Sequence, residues 1–331
     1  MKRQVILLKD LINVFMQELG HVLAAVDPPG PGRPPVYPAE ALFLCWVRLY
    51  RGVADSQRRL VQTLTQHPAL RERLGFDDQV PDQSTFRWCT NHRARHVFPR
   101  IFDEVVQRLV AAGVIQGDHV VVDASLVHAY SNPRKKDAAG TPSDFEASWG
   151  FESSTGQWVY GYTLHLISCA DAELPIALAV TTGKRGDRPL FPPLLEPAAR
   201  FPIPLRVVGA DGNYHAAQNH LAAQRLGAST VIPLPARRHR EPRTLAQRLR
   251  LHTLIKRGSK LYKKLRNKRQ SIERVFARLK SHFTLDNLRV RGLEKVRQHS
   301  LLALTSMLVY ALTAAKCGLV PLVRSPTRLT V

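Results

Sequence analysis

The sequence predicts an α/β protein with a mixed sheet flanked by helices, an N-terminal helical domain and a C-terminal helical tail. Two observations support this fold class. Residues 39–113 place apolar side chains at helical spacing, whereas residues 119–232 alternate β-branched or aromatic runs with helical segments. Strands that alternate with helices are typical of α/β folds. We expect four regions: an N-terminal helix and Pro-rich linker (1–38), a helical domain (39–115), the α/β core (116–285) and a helical segment (286–331).

The region before the core is predicted to be a linker followed by four short helices. Six prolines in residues 28–38 favour an extended linker over a helix or strand. The first helix is predicted from Ala41, Leu42, Leu44 and Cys45, and the second from Leu60, Val61 and Leu64. The third is predicted to begin at Ser84 as its N-cap, and the fourth to cover residues 98–112 and end at Gly113. Such a domain can be a helix-turn-helix-like reader of DNA ends or a packing domain without DNA contact.

The core is predicted to contain five strands and two helices before its last helix. The strands are residues 119–122, 158–168, 174–182, 205–210 and 228–232, and the helices are residues 187–199 and 214–226. The Asp171-Ala172 turn pairs the second strand with the third, and Asp187 is interpreted as a helix N-cap.

The net charge of +22 is concentrated in one part of the chain. Residues 225–300 hold 22 Lys and Arg against 4 Asp and Glu. A charge run is often only a solvated basic face, but so many like charges destabilise the folded state unless a partner neutralises them. We therefore expect a polyanion as partner, with nucleic acid ahead of a membrane surface.

Several other classes of protein are disfavoured. The four cysteines form no CxxC pair, so neither a zinc knuckle nor a disulfide framework is expected, and a reducing cytosol fits. Lys9 and Asp10 interrupt the first apolar run, which argues against a signal peptide. The uncharged residues 300–315 are shorter than the ~20 residues of a membrane span and predict a buried core helix. We expect a cytoplasmic, nucleoid-associated protein without membrane contact.

Two aspartates follow predicted buried strands and are the first candidates for chemistry. Asp123 follows Val120-Val121-Val122, and Asp211 follows Val207-Val208-Gly209-Ala210. The carboxyl ends of strands in α/β sheets open into crevices where reactive groups gather. A carboxylate beside an apolar strand is costly unless it is paired or bound to a cation. Each can also be an ordinary turn or cap residue.

The third candidate is Glu273, on a helix predicted over residues 268–283. Arg269, Glu273 and Lys280 project together beside an apolar stripe of Ile272, Val275, Phe276, Leu279 and Phe283. Glu273 can be a simple surface partner of Arg269. It can also be a metal ligand beside a bound phosphate. Three carboxylates without a His/Cys set suit Mg²⁺ or Mn²⁺, and two such ions about 4 Å apart can drive in-line attack on a phosphodiester.

Several motifs resemble those of the DDE transposases of bacterial insertion sequences, whose catalytic core has the ribonuclease-H-like fold. The resemblance covers roughly residues 35–310. Its motifs are the predicted Asp-Ala-Ser turn at 123–125, Tyr160-Gly161-Tyr162, Glu173-Leu174-Pro175-Ile176 and Asp211-Gly212-Asn213-Tyr214. Arg269, Glu273 and Lys280 match the signature Tyr-x2-Arg-x3-Glu-x6-Lys, whereas Arg266 fills its tyrosine position and Tyr262 is the nearest tyrosine.

The resemblance implies a site and an activity. Asp123, Asp211 and Glu273 would be the catalytic residues and would hold two Mg²⁺ (or Mn²⁺) ions. Arg269 and Lys280 would contact phosphates, and Arg266, Lys263 and Lys264 beside them are predicted to bind DNA. The function implied is metal-dependent hydrolysis at transposon ends and 3′-OH strand transfer into target DNA, by a homodimer on double-stranded DNA. A metal-dependent nuclease on the same core and an inactive DNA-binding relative are the alternatives, and a supporting role of Asp187 near the metals stays open.

Overall fold

The computed structural model describes residues 6–26, 36–52, 54–77, 79–92, 94–134, 140–152, 155–184, 186–234 and 255–325. Most of the predicted Pro-rich linker and of the basic loop before the last core helix lies outside these residues. The chain divides into two compact units. The helical unit comprises residues 1–114, 278–287 and 298–331, and the sheet unit comprises residues 115–277 and 288–297. The four-region division made from the sequence stays a prediction.

The helical unit is built from short helices around an aromatic core. Its first helices are α1 (Leu8–Val26), α2 (Ala39–Tyr50), α3 (Gln57–Gln66), α4 (Pro68–Arg73), α5 (Gln83–His92) and α6 (Ala94–Ala111). Phe15 stacks on Phe43 with ring centroids 5.4 Å apart, and Trp46 meets Phe98 edge-on at 5.2 Å. Every residue from Ala41 to Arg48 is buried, so the helix predicted from Ala41, Leu42, Leu44 and Cys45 is a core helix without an exposed face over these residues.

Helix ends in this unit confirm one prediction and correct another. Gly113 ends α6 with a positive φ of 70°, as expected. The N-terminus of α5 is capped by Asp82, since its Oδ1 accepts hydrogen bonds from the Thr85 backbone N–H at 2.8 Å and the Ser84 hydroxyl at 2.7 Å. The prediction of Ser84 as the N-cap is therefore wrong, because the aspartate that precedes Gln83 takes that position.

The sheet unit contains a six-stranded mixed sheet. Its strands are β1 (His119–His128), β2 (Ser148–Glu152), β3 (Gln157–Cys169), β4 (Leu174–Thr182), β5 (Val207–Ala210) and β6 (Ser229–Val231). The strand β3 pairs antiparallel with β1, β2 and β4, while β5 and β6 continue the sheet parallel to β1. This arrangement is the predicted mixed sheet, and it corresponds to a ribonuclease-H-like core.

Two strand predictions need correction. β1 continues to His128, so Asp123 and the predicted turn at 123–125 lie inside the strand, because β3 pairs with β1 well beyond the point where β5 ends. β2 was not predicted, since a five-residue run with Gly150 at its centre carries little periodic signal. The turn between β3 and β4 is confirmed.

The remaining helices are α7 (Phe191–Ala198), α8 (Ala217–Arg225), α9 (Lys260–Lys268), α10 (Gln270–His282) and α11 (Leu293–Lys316). The single helix predicted over 268–283 is in fact preceded by α9, with Arg269 as the C-cap between α9 and α10. The predicted stripe from Ile272 to Phe283 is buried. Residues 300–314 are buried in α11, as expected of a core helix. None of the described helices is long and apolar enough to cross a membrane, and none of the four cysteines, all of which the structure describes, forms a disulfide bond.

Candidate active site

Strand pairing brings the two predicted aspartates side by side. In the parallel pair of β1 and β5, the last partners are Val122 and Ala210. Asp123 and Asp211 are the next residues along the chain. They therefore lie next to each other just beyond the β1–β5 pairing, although Asp123 remains paired with Leu166 on β3. Asp211 also serves as a cap, as its alternative interpretation proposed, because its Oδ1 accepts a hydrogen bond from the Asn213 backbone N–H at 2.8 Å.

Arg269 connects the first strand to the last core helix. Its Nη1 donates to Asp123 Oδ2 at 2.8 Å, and its Nη2 donates to Glu273 Oε1 at 2.7 Å. The Asp123 side chain is 18% exposed and that of Glu273 is 56% exposed. One guanidinium therefore holds two of the three predicted catalytic carboxylates, and Glu273 is also the i,i+4 partner that its simpler interpretation expects.

Two ion pairs tie the helices that carry these residues to the β3–β4 turn. Arg274 on α10 contacts Glu173 at 2.6 Å, and Lys268 at the end of α9 contacts Asp171 at 2.5 Å. Glu173 is buried whereas the Arg274 side chain is 56% exposed, so removing the arginine would leave a buried carboxylate without this partner. The turn thereby helps to fix the position of Arg269 and Glu273 relative to the central strands of the sheet unit.

Burial makes Asp123 an unusual carboxylate. It raises the pKa of Asp123 to about 7, although the Ala124 backbone N–H, which donates at 2.9 Å, and the Arg269 charge act in the opposite direction. The neighbouring charges of Asp211 and Asp187 add to the rise. Three acidic side chains, Asp123, Asp187 and Asp211, therefore interact with one another near the single positive charge of Arg269. Such an excess of acidic groups is typical of functional carboxylate clusters.

Asp187 belongs to the same cluster. It occupies the predicted N-cap position, before the short helix Arg188–Leu190, but its side chain accepts no capping hydrogen bond from that helix. Its Oδ1 lies 3.8 Å from Nδ1 of the buried His165, whose Nε2 is 2.9 Å from Thr181 Oγ1. Burial, followed by the charge of Asp211, raises the pKa of Asp187 to about 6. An acidic residue shortly after β4 was the only sequence signal for this position.

Tyr214 adds a buried hydroxyl that the sequence singled out only as part of a motif. The side chain is fully buried, and among the described residues its hydroxyl has no hydrogen-bond partner. Burial, together with the charges of Asp187, Asp123 and Asp211, raises the pKa of Tyr214 well above its usual range. A buried hydroxyl without a partner beside three carboxylates indicates a site that accommodates a further polar group or ion.

The donor chemistry of this cluster fits a hard divalent cation. Aspartate oxygens are ligands preferred by Mg²⁺ and Mn²⁺, and the unmatched negative charge favours a cation. In the arrangement that the structure describes, no three His, Cys, Asp or Glu side chains are close enough together to hold an ion. Between Asp123 and Glu273 stands the Arg269 guanidinium, so these two carboxylates contact a cationic side chain instead.

Apart from Arg269, the predicted DNA-binding residues fall into two groups. Lys263, Lys264 and Arg266 are exposed on α9. Lys280 lies about two turns beyond Glu273 on α10 and is 3.5 Å from Asp286. Tyr262 is buried in a cluster with Val231 and Ile255, so it packs the interior of the unit and does not substitute for the missing signature tyrosine.

A comparison of the sequence with models of known protein families gives a match over the strands and helices that carry this site. A family model described as Transposase DDE domain matches residues 115–309, more than half of the chain. The chain belongs to this family. The matched DDE domain begins just before β1 and ends within α11, so it contains Asp123, Asp211 and Glu273 together with all six strands.

Solved structures of transposases are among those similar to this chain. The piggyBac transposase in a synaptic complex with hairpin DNA is 10% identical, with a TM-score of 0.41 over 93% of this chain and 74% of the other. The Mos1 transposase in a paired-end complex with the left transposon end is 15% identical, with a TM-score of 0.23 over 79% of this chain and 82% of the other.

Proposed function

We propose that this DDE domain protein is a DNA transposase that hydrolyses phosphodiesters at transposon ends and joins the resulting 3′-OH to target DNA. The observation that carries the proposal is the meeting of Asp123 with Asp211 through strand pairing and with Glu273 through Arg269. Carboxylates from two strands and one helix in a basic setting suit phosphodiester chemistry.

Asp123, Asp211 and Glu273 would hold two Mg²⁺ or Mn²⁺ ions. When bound, such ions activate a water or a 3′-hydroxyl and stabilise the leaving oxygen of a phosphodiester. Asp187 and the Tyr214 hydroxyl, which lie in the same cluster, would orient the ligands from the second layer. For the ligands to act, Asp123 must lose the proton that burial favours, so acidic solution works against the assembled site.

Arg269 would exchange its carboxylate partners for a DNA phosphate. Its fork holds Asp123 and Glu273 by charge-assisted hydrogen bonds, and phosphate oxygens accept the same paired N–H donors. Lys280, with Lys263, Lys264 and Arg266, would neutralise further phosphates along the duplex. Release of Arg269 from the carboxylates would free their oxygens when DNA arrives.

Double-stranded DNA, as transposon end and as target, is the proposed partner, and the nucleoid is the proposed location. The net charge of +22 favours a polyanion over an acidic small molecule. A homodimer would be needed to hold two ends in one synaptic complex. There are two alternatives to a transposase: a nuclease without strand transfer and a DNA-binding relative without catalysis. The experiment must distinguish all three.

The test uses purified protein with labelled ends of the DNA that encodes it, in Mg²⁺ and in EDTA. Asp123→Asn, Asp211→Asn and Glu273→Gln should each reduce cleavage by at least about 100-fold with little effect on end binding, because these side chains act on the reacting phosphate. Asp118→Asn, which removes a half-exposed carboxylate that pairs with Arg206 at 3.3 Å, is the matched control.

A pre-nicked end with a free 3′-OH separates the alternatives. Joined product in Mg²⁺ supports a transposase, whereas cleavage without joining supports a nuclease. End binding without either reaction supports an inactive relative. Normal cleavage by the Glu273→Gln protein would contradict the assignment of the third carboxylate.

A further inference from the structure

Exposed aromatic side chains are concentrated in one segment of the sheet unit. Six aromatic side chains are exposed among the described residues, and five of them lie between residues 130 and 158. These five are Tyr130, Phe145, Trp149, Phe151 and Trp158; the sixth is Trp88 on α5. Clusters of exposed apolar side chains mark interaction surfaces far more often than scattered ones do.

The β2–β3 hairpin arranges four aromatic rings on one side. Trp149 pairs with Tyr160 and Phe151 pairs with Trp158 across the two strands. Ring centroids are 5.4 Å apart in both pairs. Trp158 is 65% exposed, and Phe151 is 54% exposed. We refer to Trp149, Phe151, Trp158 and Tyr160 as the aromatic face.

The other side of this hairpin packs against the protein through a glycine. A Cβ atom at Gly150 would lie 2.6 Å from Leu126 Cδ2 and 2.7 Å from the Gly183 carbonyl oxygen. Only glycine allows β2 to approach its neighbours so closely. On the opposite side, the rings of Trp149, Phe151 and Trp158 are exposed, whereas Tyr160 is half-buried and its hydroxyl donates to the Asp144 carbonyl oxygen at 2.7 Å.

The aromatic face lies on the same side of the sheet as Asp123. Asp123 pairs with Leu166 on β3, and Trp158 precedes Leu166 by eight residues on the same strand. The pairing of β3 with β1 and with β2 shows no register shift between these residues. An even separation keeps both side chains on one face, and eight residues span about 27 Å. B-DNA rises about 3.4 Å per base pair, so this distance corresponds to about eight base pairs.

The surroundings of the aromatic face favour an anionic ligand. The Lys184 backbone N–H donates to Ser148 Oγ at 2.7 Å, which places an exposed lysine beside the start of β2. Arg291 lies over the Tyr130 ring, 5.1 Å from its centroid. Nearby acids are engaged within the protein, as Glu152 accepts the Thr155 hydroxyl at 2.7 Å.

Two further acids near the face are also engaged. Asp144 is buried and accepts the Tyr162 hydroxyl at 2.8 Å. Glu146 accepts the Leu293 backbone N–H at 2.7 Å. With these acids engaged, the exposed Lys184 and Arg291 give the border of the aromatic face a positive charge that attracts DNA.

We propose that the aromatic face stacks unpaired bases of the transposon-end DNA, about eight nucleotides from the phosphodiester held at Asp123. This inference rests on the proposed function for the identity of the DNA. Aromatic rings on a flat sheet, bordered by Lys or Arg, hold unpaired bases because every base offers a π-face to the rings. The face would thus stabilise end DNA that is locally opened about eight nucleotides from the site of cleavage.

The test compares two probes in EDTA, so its outcome does not depend on whether the protein cuts DNA. One probe is a duplex with a short unpaired bubble carrying 2-aminopurine, and the other is the fully paired duplex of the same sequence. Wild-type protein should bind the bubble about five-fold or more tightly than the paired duplex, with quenching of tryptophan and 2-aminopurine emission. Catalytic failure of the protein in Mg²⁺ would leave this preference unchanged.

Three variants identify the contact. Trp158→Leu keeps an apolar side chain but removes the aromatic ring, so it should abolish the preference for the bubble and leave affinity for the paired duplex unchanged. Trp158→Phe should retain most of the preference. Leu221→Ala removes an exposed apolar side chain on α8 and should behave as wild type.

Two results would overturn the proposal. The first is an unchanged bubble preference in Trp158→Leu. The second is a change in oligomeric state of Trp158→Leu by analytical ultracentrifugation, since that result would identify the aromatic face as an interface between copies of the chain. Circular dichroism and thermal unfolding of each variant verify that the sheet unit is folded.

Discussion

At the scale of single residues, Asp123 is where the requirements of folding and of chemistry conflict most directly. The side chain belongs to a strand whose preceding residues are fully buried, and burial raises its pKa to about 7. Arg269 offsets only part of this cost through its 2.8 Å hydrogen bond. Such a cost is tolerated at functional positions, because a ligand or substrate relieves it.

This conflict predicts a dependence of stability on pH. The folded-state pKa of Asp123 lies above its value of 3.8 in the unfolded chain, so the folded state binds the proton more tightly. The stabilisation is fully present below about pH 4 and is lost as pH rises through about 7. In EDTA, the free energy of unfolding of wild type relative to Asp123→Asn should fall by about 2 kcal/mol between roughly pH 5 and pH 8.

Urea titrations at the two pH values measure this difference. Asp118→Asn, which changes a half-exposed carboxylate paired with Arg206, should show the pH dependence of wild type. Identical pH profiles for wild type and Asp123→Asn would mean that Asp123 does not bind a proton more tightly in the folded state.

Asp187 illustrates how chain neighbours predict a residue's position but not the contacts of its side chain. An Asp before Arg188-Pro189 and a helical segment has the local pattern of an N-cap, yet its side chain lies beside His165 and interacts electrostatically with Asp211. The residue types at Asp123, Asp211 and Glu273 were sufficient to select them, because each is an acid in an apolar or basic context. Their proximity depends on contacts between distant parts of the chain.

At the scale of elements, β2 depends on close backbone approach rather than on apolar burial. Gly150 rests against Leu126 and the Gly183 carbonyl, with no room for a side chain. Gly150→Ala should lower the free energy of unfolding by about 1–3 kcal/mol, because the added methyl group must push β2 away from its neighbours.

Gly186→Ala is the matched control, since a Cβ atom there would meet no atom within 4 Å. Urea unfolding of both variants makes the comparison. Equal stabilities would show that β2 tolerates displacement from Gly183.

The elements that the sequence predicted well are those with strong periodic patterns. The strands β3 and β4, the buried stripe of α10 and the uncharged core of α11 were predicted close to their observed bounds. The missed element, β2, is short and interrupted by Gly150, and the continuation of β1 beyond Asp123 depends on its pairing with β3. Local propensity does not report such pairing partners.

At the scale of the whole molecule, charge is the dominant feature. Residues 225–300 hold 22 of the 48 Lys and Arg side chains. If Lys263, Lys264, Arg266, Arg269 and Lys280 each neutralise a phosphate, the logarithm of the DNA association constant should fall with the logarithm of salt concentration with a slope of about −4 to −5.

Fluorescence anisotropy with a paired duplex at several salt concentrations measures this slope. The double variant Lys263→Gln/Lys264→Gln should make the slope less steep by about 2, because two phosphate contacts are lost. Lys295→Gln, an exposed lysine on α11 outside the predicted set, should leave the slope unchanged. Affinity that is insensitive to salt would contradict a phosphate-binding role for α9 and α10.

By itself, the sequence determined the class of the fold, the basic character of residues 225–300 and the acids that could serve chemistry. These properties follow from local periodicity and side-chain type, which can be recognised in short segments of the sequence. The tertiary structure alone decided that Asp123 and Asp211 directly follow the last paired residues of β1 and β5 and that Arg269, 146 residues after Asp123, joins it to Glu273. It also decided that Asp187 is a neighbour of the site and that four aromatic rings share one face. The physical reason is that strand pairing and ion pairing join residues far apart in the chain, and their free energy exists only once the whole sheet has formed.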